Sequence, residues 1–438
     1  MKYNEAYYYL LSLKNVPRHD YMTAARPGPA FLERLRYFLV LLGNPEKKIP
    51  HYIHITGTSG KGSVTIMLAS ILRAAGKRVG AMTSPSADGG LGRTEINGVV
   101  MTKPDFARLM EKMKKALDAY IKKSPYNLPS EFELLTALSF LYFTEKKVEW
   151  AVVEVGLGGR YDSTNVIPHK DVAIITNIGL DHTELIGPTR ADIAYEKAGI
   201  VKKGAVVFTG EQRKNLLTIF EKECRKEHAW LTVVQGNTKV IKQGLSGITF
   251  NYKNNQYQLP ILGTHQIKNA ILTIEAAKHL GIPEKMIQRG LKNIVLPTRL
   301  EVMSKKPLTI LDGAHNPDKM KATTNTVAAL KQKRIIHLLI GFAANKNWRA
   351  MLRQLALLKP HTVACTRFTE NIFRPTVSPA ELARQVKKLL PKTIVVPFLD
   401  PKEAVAWSRK KQKTSDVLLV TGSMYLSGEL RKLFSSTK

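Results

Sequence analysis

Short apolar runs alternate with longer segments of helical periodicity along most of this chain. Runs rich in β-branched residues predict buried strands at 52–56, 151–155, 172–176 and 206–209. Apolar residues spaced along one helical face predict helices at 63–75, 104–123 and 131–145. Alternating strands and helices are typical of an α/β domain. We therefore expect a largely parallel sheet in the first part of the chain.

A polar stretch at 231–259 interrupts this alternation. Its β-rich pattern predicts antiparallel hairpins with a turn at Asn254-Asn255, and a helix is predicted at 266–280. Alternation then restarts, with strands predicted at 308–311, 335–340, 362–365, 393–396 and 417–421. Because Pro297 separates the two alternating regions, we expect domains at 1–297 and 298–438.

Composition narrows the class of protein. The 438 residues are 44% hydrophobic and 23% charged, as in ordinary globular proteins, and no apolar run approaches the ~18 residues of a membrane-spanning helix. Cys224 and Cys365 lack metal-ligand spacing, and the start of the chain lacks the apolar stretch of a signal peptide. We expect a cytoplasmic protein, monomeric and without a membrane partner.

The formal net charge of +32 raises the question of an anionic partner. Residues 298–438 contain 26 Lys and Arg against 9 Asp and Glu, so the excess is denser there. The basic residues are spread through helix-like segments in short clusters such as Arg409-Lys410-Lys411 rather than in a tail. We interpret them as a solvated surface, with attraction of anionic ligands or RNA as the alternative.

Residues 52–63 place a strand, a glycine-rich loop and a helix start in succession, as Tyr-Ile-His-Ile-Thr-Gly-Thr-Ser-Gly-Lys-Gly-Ser. The free N–H groups and positive dipole end of such a helix can bind phosphate oxygens. Lys61 adds a positive charge, and the Ser63 hydroxyl can reach Mg²⁺. Ile55 and Gly62 depart from the usual Walker pattern, so a plain glycine-rich turn is the alternative.

Two further predicted strands end in polar residues. Glu154 ends one beside Gly158 and Gly159, where glycines would let a ligand approach the backbone. A carboxylate there suits Mg²⁺, whereas the structural alternative is an ion pair with Arg160. Asp181-His182 follow the other strand, although a His after a strand is more often a hydrogen-bonded turn residue than a ligand.

The segments around these positions form an ordered series of motifs along nearly the whole chain. Gly-Thr-Ser-Gly-Lys-Gly-Ser at 57–63 differs at Ser59 from a family pattern with Asn, and the glutamate strand continues as Glu-Val-Gly-Leu-Gly-Gly-Arg-Tyr-Asp-Ser-Thr-Asn at 154–165. The later matches are Leu180-Asp181-His182, Glu196-Lys197-Ala198-Gly199, Gly263-Thr264-His265-Gln266, Asn269-Ala270, 311–317 and 421–426. The series resembles the folylpolyglutamate synthase/dihydrofolate synthase branch of the Mur ligase superfamily.

The resemblance implies a P-loop ATPase domain with a parallel central sheet, followed by a smaller Rossmann-like α/β domain. It implies ATP and two Mg²⁺ ions as cofactors, with a monovalent cation as a further candidate. The implied nucleotide-binding residues are Gly57, Thr58, Ser59, Gly60, Lys61, Gly62, Ser63, Asn269, Arg299, Asp312 and His315. The implied metal-binding residues are Ser63, Ser84, Glu154 and His182. The implied catalytic residues are Lys61, His182 and Lys197, with Lys197 carbamylated.

The chain departs from the family pattern in three places. The loop after Pro85 usually carries His and then Glu-Arg-Ile, but here it reads Ser-Ala-Asp-Gly-Gly-Leu-Gly-Arg-Thr-Glu at 86–95. A Pro-Gly-Arg element has become Pro297-Thr298-Arg299, and an Asp-Lys-Asp element has become Asn345-Lys346-Asn347. The first and last changes affect loops where pterin or amino-acid contacts are expected.

The resemblance implies an ATP-dependent amide ligase that adds L-glutamate to dihydropteroate, reduced folates or both through an acyl phosphate. One alternative is a Mur-type ligase that joins another carboxylate and amine. The other is a basic RNA-binding P-loop protein, for which the sequence offers no RNA-binding motif or aromatic-rich surface. The choice of acceptor, the number of glutamates and their linkage stay open.

Overall fold

The computed structural model describes residues 1–13, 29–84, 91–331, 334–371 and 374–435. The chain divides into two compact units. Of the described residues, those within 1–84, 91–237 and 268–291 form the first unit, and those within 238–267 and 292–438 form the second. The domain boundary at 297/298 expected from the sequence remains a proposal.

The first unit is built on an eight-stranded sheet. Its strands are β1 His51–Thr56, β2 Val79–Met82, β3 Thr94–Ile96, β4 Val99–Val100, β5 Trp150–Glu154, β6 Val172–Ile175, β7 Val206–Thr209 and β8 Trp230–Val233. They lie in the order β4-β3-β2-β5-β1-β6-β7-β8, and the six from β2 to β8 are parallel. The central strands are buried on both faces, which explains their nearly continuous apolar sequences.

Helices cover this sheet. The first eight are α1 Tyr3–Ser12, α2 Pro29–Leu41, α3 Lys61–Ala74, α4 Lys103–Lys123, α5 Glu131–Glu145, α6 Thr183–Ile186, α7 Arg190–Ala198 and α8 Lys214–Lys226. Two more, α9 His265–His279 and α10 Glu284–Lys292, complete the set that contributes to the first unit. Helix α5 starts at a capping box formed by Ser130 and Glu133, the signature that favours a helix start. Glu133 also pairs with buried Arg34 at 2.7 Å.

The second unit contains two sheets. A three-stranded antiparallel sheet consists of β9 Thr238–Gly244, β10 Gly247–Tyr252 and β11 Asn255–Leu259. The larger sheet consists of β12 Glu301–Lys305, β13 Leu308–Leu311, β14 Ile336–Ile340, β15 Thr362–Cys365, β16 Ile394–Pro397 and β17 Val417–Thr421. Its order is β12-β13-β17-β14-β15-β16, with only β12 antiparallel to its neighbour.

The remaining helices are α11 Pro317–Lys331, α12 Trp348–Ala356, α13 Pro379–Leu389, α14 Pro401–Lys411 and α15 Met424–Ser435. They pack apolar side chains on both faces of the larger sheet, giving two buried clusters around residues such as Leu338 and Leu339. Neighbouring residues of β14 therefore point to opposite cores, as strand geometry requires.

The α/β fold predicted from the alternation is confirmed, with corrections to individual elements. The polar stretch begins with β8, which pairs in parallel with β7 rather than in a hairpin. The turn between β10 and β11 is formed by Lys253 and Asn254, one residue before the predicted pair, because Asn255 pairs with Tyr252. Strands β2, β3, β4 and β12 were not predicted.

Candidate active site

The candidate site of the first unit lies at the carboxyl edge of its sheet, around central strand β1. The chain crosses from β5 on one side of β1 to β6 on the other, which makes this edge a topological switch point. Glu154, the last residue of β5, pairs with Ile55, and Thr56 pairs with Ile175. The loops after β1, β5 and β6 therefore start side by side, where open α/β sheets bind ligands.

The phosphate-loop candidate joins β1 to α3. Helix α3 begins at Lys61, with Gly60 as its N-cap at φ 89°. Ser63 lies in the first turn of α3 and is buried, and Lys61 Nζ donates to the Gly57 carbonyl at 3.0 Å. The predicted strand–loop–helix arrangement is confirmed, and the first-turn N–H groups of a 14-residue helix are directed at this loop.

Gly57 and Gly60 of this loop have positive φ angles, and each also has a neighbour too close to admit a side chain. A Cβ on Gly57, at φ 141°, would lie 1.8 Å from Thr176 Oγ1. A Cβ on Gly60 would lie 2.3 Å from Asn269 Oδ1, so the predicted nucleotide residue Asn269 contacts the loop directly. The Gly-Thr-Ser-Gly spacing thus fits both the αL backbone and the packing of α9.

The β6 loop supports the phosphate loop through hydrogen bonds. The Ser59 N–H donates to Asn177 Oδ1 at 2.9 Å, and Thr176 Oγ1 donates to the Ser59 carbonyl at 2.6 Å. The sequence singled out this strand end as polar but did not assign a role to Asn177 or Thr176. Their position directly after a buried strand is the sequence feature that could have indicated this role.

A second support comes from the segment after β7, for which no sequence pattern indicated a role. Glu211 accepts from the Ile178 N–H at 3.2 Å, and Arg213 donates to the Ile178 carbonyl and to Glu211. Burial alone would raise the pKa of Glu211, but the hydrogen bonds from Arg213 and Gln212 lower that pKa to about 2. The start of the Asp181-His182 loop is therefore held by an ionised carboxylate.

Glu154 is buried at the end of β5. Its Oε2 accepts from the Ser84 N–H at 2.9 Å, and the Ser84 hydroxyl accepts from Arg93 at 2.9 Å. Arg160 instead forms a bidentate pair with Glu223, at 3.0 and 2.9 Å. The ion pair between Glu154 and Arg160, considered as the structural alternative, is therefore wrong. The structure brings together the predicted metal residues Glu154 and Ser84.

The glycines after Glu154 have close neighbours in helix α7. A Cβ on Gly159 would lie 2.8 Å from the Glu196 carbonyl oxygen and 3.1 Å from Lys197 Cα, and a Cβ on Gly158 would lie 3.3 Å from Glu196 Oε2. These glycines let helix α7 pack close to the β5 loop. Their close packing fixes the position of Lys197 relative to the β5 loop.

Lys197 is a buried amine beside the phosphate loop. It is 4% exposed, and burial, followed by the field of Lys61, lowers its pKa to about 7 despite the opposing fields of Asp181 and other carboxylates. A large neutral fraction of amine at neutral pH follows. The preceding Glu196 is also buried, its Oε2 has no hydrogen-bond partner, and burial raises its pKa.

His182 lies at the start of α6 with a left-handed backbone, at φ 53°. Its half-buried imidazole lies 3.9 Å from Asp181 and 3.8 Å from Glu184. The field of Asp181 also reaches Lys197. The predicted catalytic residues therefore lie near one another: Lys61 starts α3, His182 caps α6, and Lys197 lies near the end of α7.

The second unit holds Arg299, Asp312 and His315. Asp312 follows β13 and accepts from the N–H groups of Leu300 and Ala314, at 3.0 and 3.1 Å, and from Thr323 Oγ1. Burial raises the pKa of Asp312 against these hydrogen bonds. Asp312 thereby fixes the segment that carries Arg299.

His315 Nδ1 lies 2.8 Å from the Gly313 carbonyl, and its Nε2 lies 3.0 Å from Lys319 Nζ. Because a carbonyl only accepts and an ammonium only donates, these contacts fit a neutral imidazole protonated at Nδ1. Asn347 of the altered Asn345–Asn347 loop caps α12 by accepting from the Ala350 N–H at 3.2 Å. Residues 85–90, which include the first part of the altered loop at 86–95, lie outside the described residues.

The donor chemistry at the first edge fits Mg²⁺. The described residues contain no group of three or more His, Cys, Asp or Glu side chains suited to holding a metal. Mg²⁺ does not require one, because it commonly takes one or two carboxylates together with waters and substrate phosphates. The Glu154 carboxylate, the hydroxyls of Ser63 and Ser84, and the His182 imidazole are the candidate ligands.

Comparison with known proteins defines the class. Residues 55–277 match the Mur ligase middle domain, and residues 298–424 match the glutamate ligase domain of Mur ligases. Together with the phosphate loop at the switch point, these matches identify an ATP-dependent Mur-type ligase, an enzyme that forms carbon–nitrogen bonds. The alternative of a basic RNA-binding P-loop protein is therefore not supported.

Similarity over nearly the whole chain defines the family. The chain is 31% identical over 421 residues to the dihydrofolate synthase/folylpolyglutamate synthase of Bacillus subtilis, covering 93% of this chain and 95% of that protein. It belongs to the folylpolyglutamate synthase/dihydrofolate synthase family, as the ordered motifs predicted.

Two solved structures show the same fold. The Mycobacterium tuberculosis folylpolyglutamate synthase complexed with ADP and AMPPCP aligns with a TM-score of 0.84 and 27% identity, covering 98% of this chain and 99% of that chain. The Escherichia coli FolC in complex with DHPP and ADP aligns with a TM-score of 0.82 and 25% identity, covering 98% of each chain.

Proposed function

We propose that this ligase uses ATP and Mg²⁺ to attach L-glutamate to dihydropteroate, to reduced folates or to both. The observation that carries the proposal is the pairing of β1 with β5, which sets the phosphate loop and the Glu154 carboxylate side by side. The folate-type substrate is supported by the names of the relatives and by the DHPP complex of the E. coli protein.

A carboxylate does not form an amide readily, because the oxygen that must depart from it is a poor leaving group. Transfer of the ATP γ-phosphoryl group to a carboxylate oxygen forms an acyl phosphate and ADP. The glutamate amine then attacks the carbonyl carbon, the carbon–oxygen bond to phosphate breaks, and the amine loses a proton as the amide forms. The loop N–H groups and Lys61 would orient the phosphates and neutralise the charge that develops on them. When bound, Mg²⁺ would supply further charge neutralisation at the phosphate oxygens.

Lys197 supports a further part of the proposal. Its lowered pKa leaves much of the amine neutral at neutral pH, and a neutral amine can react with CO₂ to form a carbamate. The reaction releases a proton. It replaces the buried Lys197 amine, which could otherwise be protonated to a cation, with a carbamate anion beside Lys61. We propose this carbamate as a negative group that helps to balance the charge of Lys61 and the metal.

A Mur-type ligase for another acid and amine is the second candidate. It is favoured by Asn345–Asn347, because Asn347 retains the cap of α12 while the loop lacks the two family carboxylates. We also propose the site roles given above, a monomeric state, a cytoplasmic location and a bound monovalent cation. Both cysteines are free and buried, in keeping with a reducing compartment.

The test is a screen of phosphate release by the purified protein with ATP, Mg²⁺, pterin-type acceptors and each amino acid in turn. We expect release that requires glutamate together with a pteroate or folate acceptor. An acceptor labelled with heavy oxygen in its carboxylate should pass one labelled oxygen to phosphate, the signature of an acyl phosphate. Release that depends on a different acid–amine pair would favour the second candidate.

A further inference from the structure

Charged residues of the second unit are segregated between the two edges of its larger sheet. Strands β13, β17, β14, β15 and β16 run parallel, so their amino ends share one edge and their carboxyl ends share the other. Eight of the nine acidic residues at 298–438 lie at or near the carboxyl edge, as Glu301, Asp312, Asp318, Glu370, Glu381, Asp400, Glu403 and Glu429. The exception, Asp416, is buried and contacts His337.

The amino edge carries the opposite charge. Each of the five parallel strands is entered through a segment with Lys or Arg, and the adjoining helix ends add more. We call the resulting set the basic face, comprising Lys305, Lys306, Arg334, Lys359, Lys387, Lys388, Lys392, Lys410, Lys411 and Lys413. All of these except the half-buried Arg334 are exposed. Among the described residues, no exposed acidic side chain accompanies them at this edge.

Helix capping explains part of this arrangement but not all of it. Helices α13 and α14 end at this edge, and cations in a last turn are favoured by the helix dipole. Lys305, however, ends strand β12, and Lys306 and Lys392 lie in the connections that enter β13 and β16, beyond any helix end. The dipole also does not account for the missing acids, because neighbouring cations repel one another unless a counter-charge is present.

Aliphatic side chains are exposed among these cations. Leu357 is 73% exposed at the end of α12, Leu389 is 43% exposed at the end of α13, and Ile394 is 45% exposed at the start of β16. They lie at the entries to β15 and β16, which are neighbouring strands of the sheet. Lysines interspersed with exposed aliphatic groups are typical of surfaces that rest on a bilayer, where charge attracts and apolar groups insert.

We propose that the basic face is a docking surface for an anionic lipid bilayer, on which the ligase rests peripherally. Among the described residues, no helix is long and apolar enough to cross a membrane, so the contact is interfacial. Among the described residues of this face, no Phe, Tyr or Trp side chain is exposed for stacking of an unpaired nucleic-acid base, although the exposed imidazole of His361 lies at the entry to β15. This proposal departs from the sequence-based expectations of a merely solvated surface and of no membrane partner.

Docking at this edge leaves the opposite edge of the same sheet available. Asp312 and His315 follow the carboxyl end of β13, away from the entries to β15 and β16. The proposal therefore places the enzyme at a membrane surface and leaves the edge that carries Asp312 and His315 unchanged. It does not depend on which acid and amine the ligase joins.

The test is flotation of the full-length protein with vesicles of phosphatidylcholine, with and without phosphatidylglycerol. We expect binding only to the anionic vesicles and loss of binding at high salt. A Lys388→Gln/Lys392→Gln variant should bind about 25-fold more weakly, at about fivefold per lysine removed from an anionic surface. The matched control, Lys402→Gln/Lys432→Gln, removes two exposed lysines from the carboxyl side and should bind as the parent protein does.

A second variant separates apolar insertion from charge. Leu357→Ser/Leu389→Ser keeps every charge, so it should weaken vesicle binding while leaving the salt dependence unchanged. Thermal midpoints of all variants should match, since each substituted side chain is exposed. Equal weakening by the test and control lysine pairs, absence of vesicle binding, or binding to duplex or single-stranded RNA in place of vesicles would each overturn the proposal.

Discussion

Replacing Lys197 with Met should make folding stability less dependent on pH. The Lys197 amine is buried, and its pKa falls from 10.5 to about 7 in the folded protein. Between those two pH values, the unfolded chain binds a proton that the folded protein does not. The free energy of unfolding of the parent protein therefore rises with pH across this window. Below pH 7 the Lys197 amine is protonated in both the folded and the unfolded state, so the folded protein bears the full cost of the buried cation.

The magnitude follows from the two pKa values. One pKa unit corresponds to about 1.4 kcal/mol, so keeping a buried cation costs the folded protein about 5 kcal/mol below pH 7. Raising the pH from about 6 to about 9 should recover about 2.7 kcal/mol of this cost. Met fills a similar volume without a charge, so the variant lacks this contribution. The difference in free energy of unfolding between the variant and the parent should therefore decrease by about 2.7 kcal/mol as the pH rises from about 6 to about 9.

Urea unfolding in CO₂-free buffer, near pH 6 and near pH 9, measures this difference. Lys203→Met removes an exposed lysine from the same region and serves as the matched control, for which we expect parallel profiles with the parent. Parallel profiles for Lys197→Met as well would refute the reasoning. The Lys197 amine would then remain protonated in the folded protein, and its proposed reaction with CO₂ would lose its physical basis.

Three further predictions concern the carboxyl edge of the first sheet. Lys61→Ala should lower ATP-dependent turnover by at least ~100-fold with an unchanged thermal midpoint, since losing one preorganised group on developing charge costs about 2.7–4 kcal/mol; near-normal turnover would contradict the phosphate-loop assignment. Glu154→Gln should raise the Mg²⁺ concentration needed for half-maximal activity, and an unchanged metal titration would make Glu154 a structural group. Gly57→Ala should destabilise the protein by at least about 1–3 kcal/mol in urea unfolding, through its positive φ and its clash with Thr176; a Gly57→Ala/Thr176→Gly variant should recover only the part due to the clash.

The sequence predicted the features that local patterns encode. The strand–loop–helix at 52–74 and the carboxylate at the end of β5 depend on neighbours in sequence, and both are where the pattern placed them. Strand β2 was not predicted, because four residues with Gly80 among them carry little periodic signal. Strand β8 was assigned to a hairpin because only its parallel pairing with β7, a long-range contact, distinguishes it.

Contacts between residues far apart in the sequence also determine the polar interactions at the site. Arg160 is near Glu154 in sequence, but it pairs with Glu223 across 63 positions. Gly158 and Gly159 suggested room for a ligand, but their local sequence did not indicate that helix α7 packs closely against them. Glu211 and Arg213, which hold the β6 loop, belong to a different strand end and have no local pattern of their own. Residue types at strand ends thus indicated the site, and tertiary pairing determined which of them contact one another.

The most direct test of the proposed ligase activity is mass spectrometry of a reaction containing the purified protein, ATP, Mg²⁺, L-glutamate and either dihydropteroate or tetrahydrofolate. We predict a product heavier by one glutamate residue, with ADP and phosphate formed in equal amounts to the new amide. If neither acceptor gains glutamate while another carboxylate–amine pair yields product and stoichiometric ADP, the proposed folate substrate is wrong and only the Mur-type chemistry stands.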